Sequence, residues 1–259
     1  MPGFLLHLTA PWQAWPAPGL FHTRPTMRFP TRSALTGLIG AALGMRRDPN
    51  TGAADLSALR PLRYAIRIDR PGSQRRDFHT VGGGHEHTVP IAEGGTRSGN
   101  GGTLISERWY LADAAFTVAV HCDDTVLTQR CTDALRAPVF PLYLGRRGFV
   151  PSYPPLLLGP IDAPQDELER LPLNRHHAPR PYGDDAQAEV LIDYVLDTDP
   201  NDGGPPGSRV KDDPLPGRLF GHREVWTRTR THLSDQCLGP GQDWLDRLDT
   251  YFLEKAAAS

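Results

Sequence analysis

Three observations predict an α+β chain rather than a helical bundle. Gly and Pro each occur twenty-six times, short apolar runs outnumber amphipathic helical stretches, and the elements of the first half follow the order β-α-β-β-α-β. That order is the ferredoxin-like split β-α-β pattern, also used by RNA-recognition motifs. A chain of 259 residues can bury a sizeable core in one large or two small domains. The expected division is a ferredoxin-like domain over 1–150, with a projecting thumb at about 80–107, and a smaller β-rich region over 151–259.

Phe4-Leu5-Leu6-His7-Leu8 reads as a first, largely buried strand, and Pro11 to Pro30 as a Pro-rich loop. A helix then begins near Thr31. Thr31 or Ser33 can cap it, Arg32 adds a full charge at its positive dipole end, and the segment is predicted to hold a phosphate. Gly37, Gly40 and Gly44 recur on one side, where another backbone can approach or where the helix packs tightly on a sheet.

Leu62 to Ile68 alternates apolar with basic residues, which predicts a strand with Arg63 and Arg67 on an exposed face, a basic platform. Gly82 to Gly102 holds eight glycines in twenty-one residues and cannot form a core of its own, so it reads as a projecting finger. Arg108 to Val120 returns as one strand. Thr125 to Ala137 has helical spacing ended by Pro138, and Val139 to Leu144 is predicted to close the pattern as extended chain. Beyond Pro151, Leu156-Leu157-Leu158, Val190 to Leu196 and Arg223 to Arg230 are predicted strands. Asp199 to Gly217 reads as a disordered loop, and Trp244 to Leu253 as a terminal amphipathic helix.

The formal charge of −2 conceals two opposed halves. Residues 1–150 carry seventeen Arg or Lys against eleven Asp or Glu, and residues 151–259 carry eleven against nineteen. Such asymmetry points to nucleic-acid contact, because phosphates are held by clustered cations. Arg24, Arg28, Arg32, Arg46 and Arg47 bracket the glycine-bearing helix, and Arg75-Arg76, Arg108 and Arg146-Arg147 follow. Gln13 and Trp15 lie just after the first strand, within reach of a bound base. His85 and His87 have H-x-H spacing but no matching third ligand, so no metal site is expected. The three cysteines lack C-x-x-C spacing and suggest neither disulfides nor zinc. No apolar run approaches the roughly 20 residues of a membrane span, so a cytoplasmic protein without membrane contact is expected.

In chain order, Pro11-Trp12-Gln13-Ala14-Trp15, Arg24-Pro25-Thr26, Phe29-Pro30-Thr31-Arg32-Ser33, Leu43-Gly44 with Arg46-Arg47-Asp48, Asp77-Phe78-His79-Thr80-Val81, Tyr110-Leu111-Ala112-Asp113-Ala114 and Pro141-Leu142-Tyr143-Leu144-Gly145-Arg146-Arg147 form a series of motifs. With them the chain resembles the CasD family, the RAMP subunits that bind the crRNA 5′ handle in type I-E CRISPR Cascade complexes. The resemblance implies a non-catalytic subunit that caps the handle, contacts the backbone and large subunits, meets target DNA through the assembled complex, and uses no cofactor. It further implies a ferredoxin-like domain with a β-hairpin thumb. On this reading handle contacts fall to the Thr31 helix start with Arg32 and Ser33, to Arg24 and Arg28, to Arg46, Arg47 and Arg108, and to Arg146 and Arg147. Trp15 or Tyr143 would stack on bases, Gln13 would read one, and His79 would donate to RNA or to the backbone. The alternative is a metal-independent endoribonuclease of precursor crRNA, with His79, Tyr110 and an arginine as its chemical groups.

Overall fold

Phe4, Leu6 and Leu8 point to one side of strand β1 (Pro2–Thr9) and Leu5 points to the other, so β1 needs cover on both faces. The computed structural model describes residues 2–19, 22–46, 48, 55–82, 103–176, 189–198, 205–215, 219–233, 236–237 and 239–257, and it supplies that cover as a three-layer arrangement. The sheet of the middle layer has seven strands, with every described pairing antiparallel.

Next to β1 lie β4 (Arg63–Arg70), β7 (Ala115–His121) and β8 (Leu156–Asp162), in the order β4-β7-β1-β8. Helix α1 (Arg32–Ala42) links β1 to β4, and α2 (Thr125–Arg136) links β7 to β8. Both helices cover one face, where Leu35, Ile39, Leu127 and Leu135 pack with Phe4, Phe116 and Ile66. Asp124 caps α2 by accepting from the Leu127 amide at 2.9 Å. Helices α3 (Pro164–Arg170) and α4 (Gln242–Ala257) lie on the opposite face, where Leu168, Trp244 and Leu248 pack on Leu5, Ala65 and Ala119. Beyond β4 the sheet continues through β9 (Glu189–Leu196) and β11 (Leu219–Leu233) to β10 (Ser208–Leu215), and so runs across residue 150.

Several expectations are corrected. The closing strand is β8, not Val139–Leu144; Pro138 and Pro141 remove backbone donors from that segment, which runs as loop. Arg108 to Val120 is two strands rather than one, broken at Asp113, whose φ is 55°. Part of Asp199–Gly217 is the ordered strand β10, whose Val210 joins the core. Helix α3 was not expected. The exposed basic platform on β4 does not exist in that form, because Arg67 is 0 % exposed. It pairs with Asp69 at 2.6 Å and donates to the carbonyls of Leu168 (2.5 Å), Leu171 (2.8 Å) and Pro172 (3.0 Å). Period-two alternation marks two faces but does not reveal that a second helix layer covers the polar one.

Candidate nucleic-acid interface

A second sheet projects from the main one. Strands β5 (Ser73–Val81) and β6 (Leu104–Ala112) pair as an antiparallel hairpin, and β6 also holds β2 (Trp12–Gln13) and β3 (Thr23–Arg24). The finger expected at Gly82–Gly102 begins where these strands run out, and residues 83–102 lie outside the described residues.

Cross-strand partners share a face, so register decides what the hairpin displays. Arg24 and Asp77 are both partners of Arg108, Arg75 is the partner of Tyr110, His79 of Ser106, and Trp12 of Ala112. One face therefore carries Arg24, Arg75, Arg108, Asp77, His79, Tyr110 and Trp12. The Trp12 and Tyr110 rings lie 4.9 Å apart, and Trp12 is 50 % exposed. Arg146 reaches this face from the loop after α2, donating to the Trp109 carbonyl at 3.0 Å with its guanidinium 5.6 Å from the Phe149 ring.

The cations repel one another. Desolvation first, and then neighbouring Arg24, pull the Arg108 pKa below its ordinary value, with Asp77 opposing. Desolvation followed by Arg108 likewise lowers that of Arg146, with Arg24 adding to the effect and Asp77 again opposing. A face on which arginines lower each other's pKa favours an arriving anion. Its partly exposed aromatic rings offer stacking surface for bases. The hairpin's other face differs: Phe78 is exposed there, and Arg76 pairs with Glu107 at 3.1 Å.

At the start of α1, where a phosphate was expected, the anion comes from the chain itself: Asp212 accepts from the Arg32 amide at 2.7 Å. The Arg32 guanidinium donates to Asp197 (2.7 Å), Asp213 (2.9 Å) and the Arg60 carbonyl (2.9 Å). Arg223 closes the cluster on Asp212 and Asp197, both at 2.6 Å. Burial pushes the Asp197 carboxyl above its ordinary range, with Arg223 and Arg32 opposing. Thr31 stands at the N-cap, buried, and its side chain accepts no capping bond. The sequence did indicate an anion at a helix N-terminus; its source, 180 residues further along the chain, lay outside any local pattern.

Gln13 and Trp15, expected at the RNA, are both interior. Gln13 donates to the Ala114 carbonyl at 2.7 Å, and Trp15 is 1 % exposed with its ring edge-on to Phe116. Arg28 is exposed in the loop before α1, and Arg47 lies outside the described residues. Ser33, Arg46, Tyr143 and Arg147 are brought together elsewhere, along a groove beside α1. The approach permitted by Gly145 is to the chain itself: its φ is +95° and a Cβ would stand 1.7 Å from the Ala14 carbonyl oxygen. Trp12 and Phe149 carry no sequence signal that separates them from core aromatics, and Arg75 stands out only as one of several arginines. The alternation Arg75, Asp77, His79 was the signal that could have found the β5 face.

Among the described residues no group of three His, Cys, Asp or Glu could hold a metal ion, and no helix is long and apolar enough to cross a membrane. The family described as CRISPR-associated protein (Cas_Cas5) matches residues 3–230. The chain is 38 % identical over 176 residues to the CRISPR system Cascade subunit CasD of Escherichia coli (strain K12), a match covering 63 % of this chain and 74 % of that protein. Its fold is similar to a chain of a CRISPR RNA-guided surveillance complex, with TM-score 0.79, 37 % identity, and 96 % and 98 % of the two chains covered. A second solved structure, a Cas protein, is similar with TM-score 0.60, 28 % identity, and 90 % and 96 % covered.

Proposed function

The chain belongs to the CRISPR-associated Cas5 family, and on that premise we propose that it is a Cascade subunit whose hairpin face holds the 5′ handle of a crRNA. The observation that carries this reading is the gathering of Arg24, Arg75, Arg108 and Arg146 on one face with Trp12 and Tyr110. Four guanidiniums suit a phosphate backbone, and the rings suit splayed bases. In this reading β1, β4, β7 and β8 with α1 and α2 are the ferredoxin-like part, and the β5–β6 hairpin is the base of the thumb. The role is structural: the subunit caps the guide, contacts the backbone and large subunits in the cytoplasm, and meets target DNA through them. His79 and Arg28 are further handle contacts.

One observation favours the nuclease alternative enough to test it. His79, Tyr110 and Arg108 share the same face, so a base and a cation would stand on one side of a bound strand. The experiment maps nuclease protection on guide and precursor RNA, with and without the chain. Protection of the 5′ handle without new cuts is the expected outcome. Specific cleavage by the chain alone, lost in His79→Ala, would replace the structural reading with the enzymatic one.

A further inference from the structure

A groove of about 1100 Å³ runs beside α1, and none of the residues that line it belongs to β5 or β6. Phe140, Leu142 and Tyr143 form one wall, and Leu56, Leu219 and Phe220 line it elsewhere. Leu219 and Phe220 are 64 % and 42 % exposed, so apolar side chains there face water. An exposed apolar concavity on a polar surface marks a place another molecule covers.

Gly37 points the same way. A Cβ at Gly40 would stand 2.7 Å from Leu56 Cδ2, so internal packing accounts for that glycine. A Cβ at Gly37 would meet nothing within 4 Å, although Gly37 lines the groove and costs helix stability. Space there is left open towards the groove. Among the described residues its lining includes three arginines, Arg46, Arg60 and Arg147, against Asp55 as its one acid.

We infer that this groove receives an amphipathic helix of a partner protein subunit, apolar on its inserted face and flanked by acidic residues. Met45, Leu56, Leu142, Leu215, Leu219 and three prolines, together with the rings of Phe140, Tyr143 and Phe220, give apolar walls that suit side-chain anchors at i, i+3, i+4 and i+7. The arginine lining selects the acidic flank by charge complementarity. Arg146 and Arg147, adjacent in sequence, thus serve different partners, RNA on the hairpin face and protein in the groove. The inference rests on the assembly reading above and names the chemistry of one partner contact.

The test uses Gly37→Phe, which fills the groove from its helical side, and the double variant Leu219→Asp/Phe220→Asp, which places negative charge on its exposed apolar lining. Each full-length chain is measured for handle protection with guide RNA alone, then for binding to the backbone and large subunits supplied separately. Both variants are expected to fold and protect the handle as the parent does, while losing at least tenfold in affinity for the same protein subunit. Undiminished binding of both subunits by both variants would overturn the inference. So would loss of handle protection with subunit binding intact, which would make the groove an RNA site. Absence of handle protection by the parent chain would instead defeat the assembly reading, and the subunit-binding measurement would still decide the groove.

Discussion

Arg32 Nη1 lies 2.7 Å from Asp197 Oδ2, with both side chains nearly buried, although 165 residues separate them in the chain. This contact ties the start of α1 to the end of β9. Breaking a buried pair leaves a charge without compensation and costs about 3–5 kcal/mol. Arg32→Ala is therefore expected to lower the urea midpoint and soluble yield, whereas Arg32→Ala with Asp197→Asn recovers part of the loss. Chemical denaturation of the two variants checks this. An Arg32→Ala chain with unchanged stability and weakened RNA binding would restore the phosphate role to Arg32.

The hairpin arginines are expected to behave oppositely. Arg24→Gln, Arg108→Gln and Arg146→Gln each remove one of three mutually repelling cations. Stability should hold within about 0.5 kcal/mol, as for surface changes. Affinity for the handle RNA should fall about three- to tenfold per substitution. The slope of log affinity against log salt should decrease by about 0.7 for each single-strand phosphate that is no longer neutralised. Titrations at several salt concentrations measure both quantities.

Trp12 is half exposed, against Tyr110 at 4.9 Å and edge-on to Phe149 at 6.0 Å. Stacking of a base on such a ring is worth about 1–3 kcal/mol, so Trp12→Ala should weaken handle binding by roughly ten- to a hundredfold. The salt slope should not change. A change in slope would mean that Trp12 acts by holding the arginines in place.

His7 makes stability depend on pH. Desolvation lowers its pKa to about 4; Asp69 opposes this, while Arg67 and Arg70 reinforce it. The ring lies between Thr117 and Asn174 and against Trp244 at 4.4 Å. The unfolded chain takes up this proton near the ordinary value of 6.5, whereas the folded chain resists until about 4. The contribution is thus complete above 6.5 and is lost as the pH falls towards 4, at up to about 1.4 kcal/mol per pH unit. Burial depresses His121 and His232 as well, and they act in the same direction. Urea unfolding between pH 7.5 and 4.5 should show this fall, and His7→Gln should flatten it.

Gly145 holds the Arg146 loop against the main fold, where the Ala14 amide donates to the Leu144 carbonyl at 3.1 Å. Gly145→Ala places a Cβ on the Ala14 carbonyl and a strained φ on alanine. It should cost about 1–3 kcal/mol and weaken RNA binding by displacing Arg146. Thermal denaturation paired with RNA titration tests the link.

Much of the fold was legible in the chain, because its information is local. Apolar runs marked β1, β8 and β9, and helical spacing marked α1, α2 and α4. The motif series identified the family. Partnership was not legible. Arg32, Arg67 and Arg108 look alike as arginines between apolar stretches, yet one is closed by acids from β9 and β10, one is buried under α3 and one faces outward beside Arg24. Only tertiary structure decides which cation finds an internal anion, because that depends on elements a hundred or more residues away. A local pattern shows that a charge must be compensated; the folded chain determines whether its own carboxylates already do so.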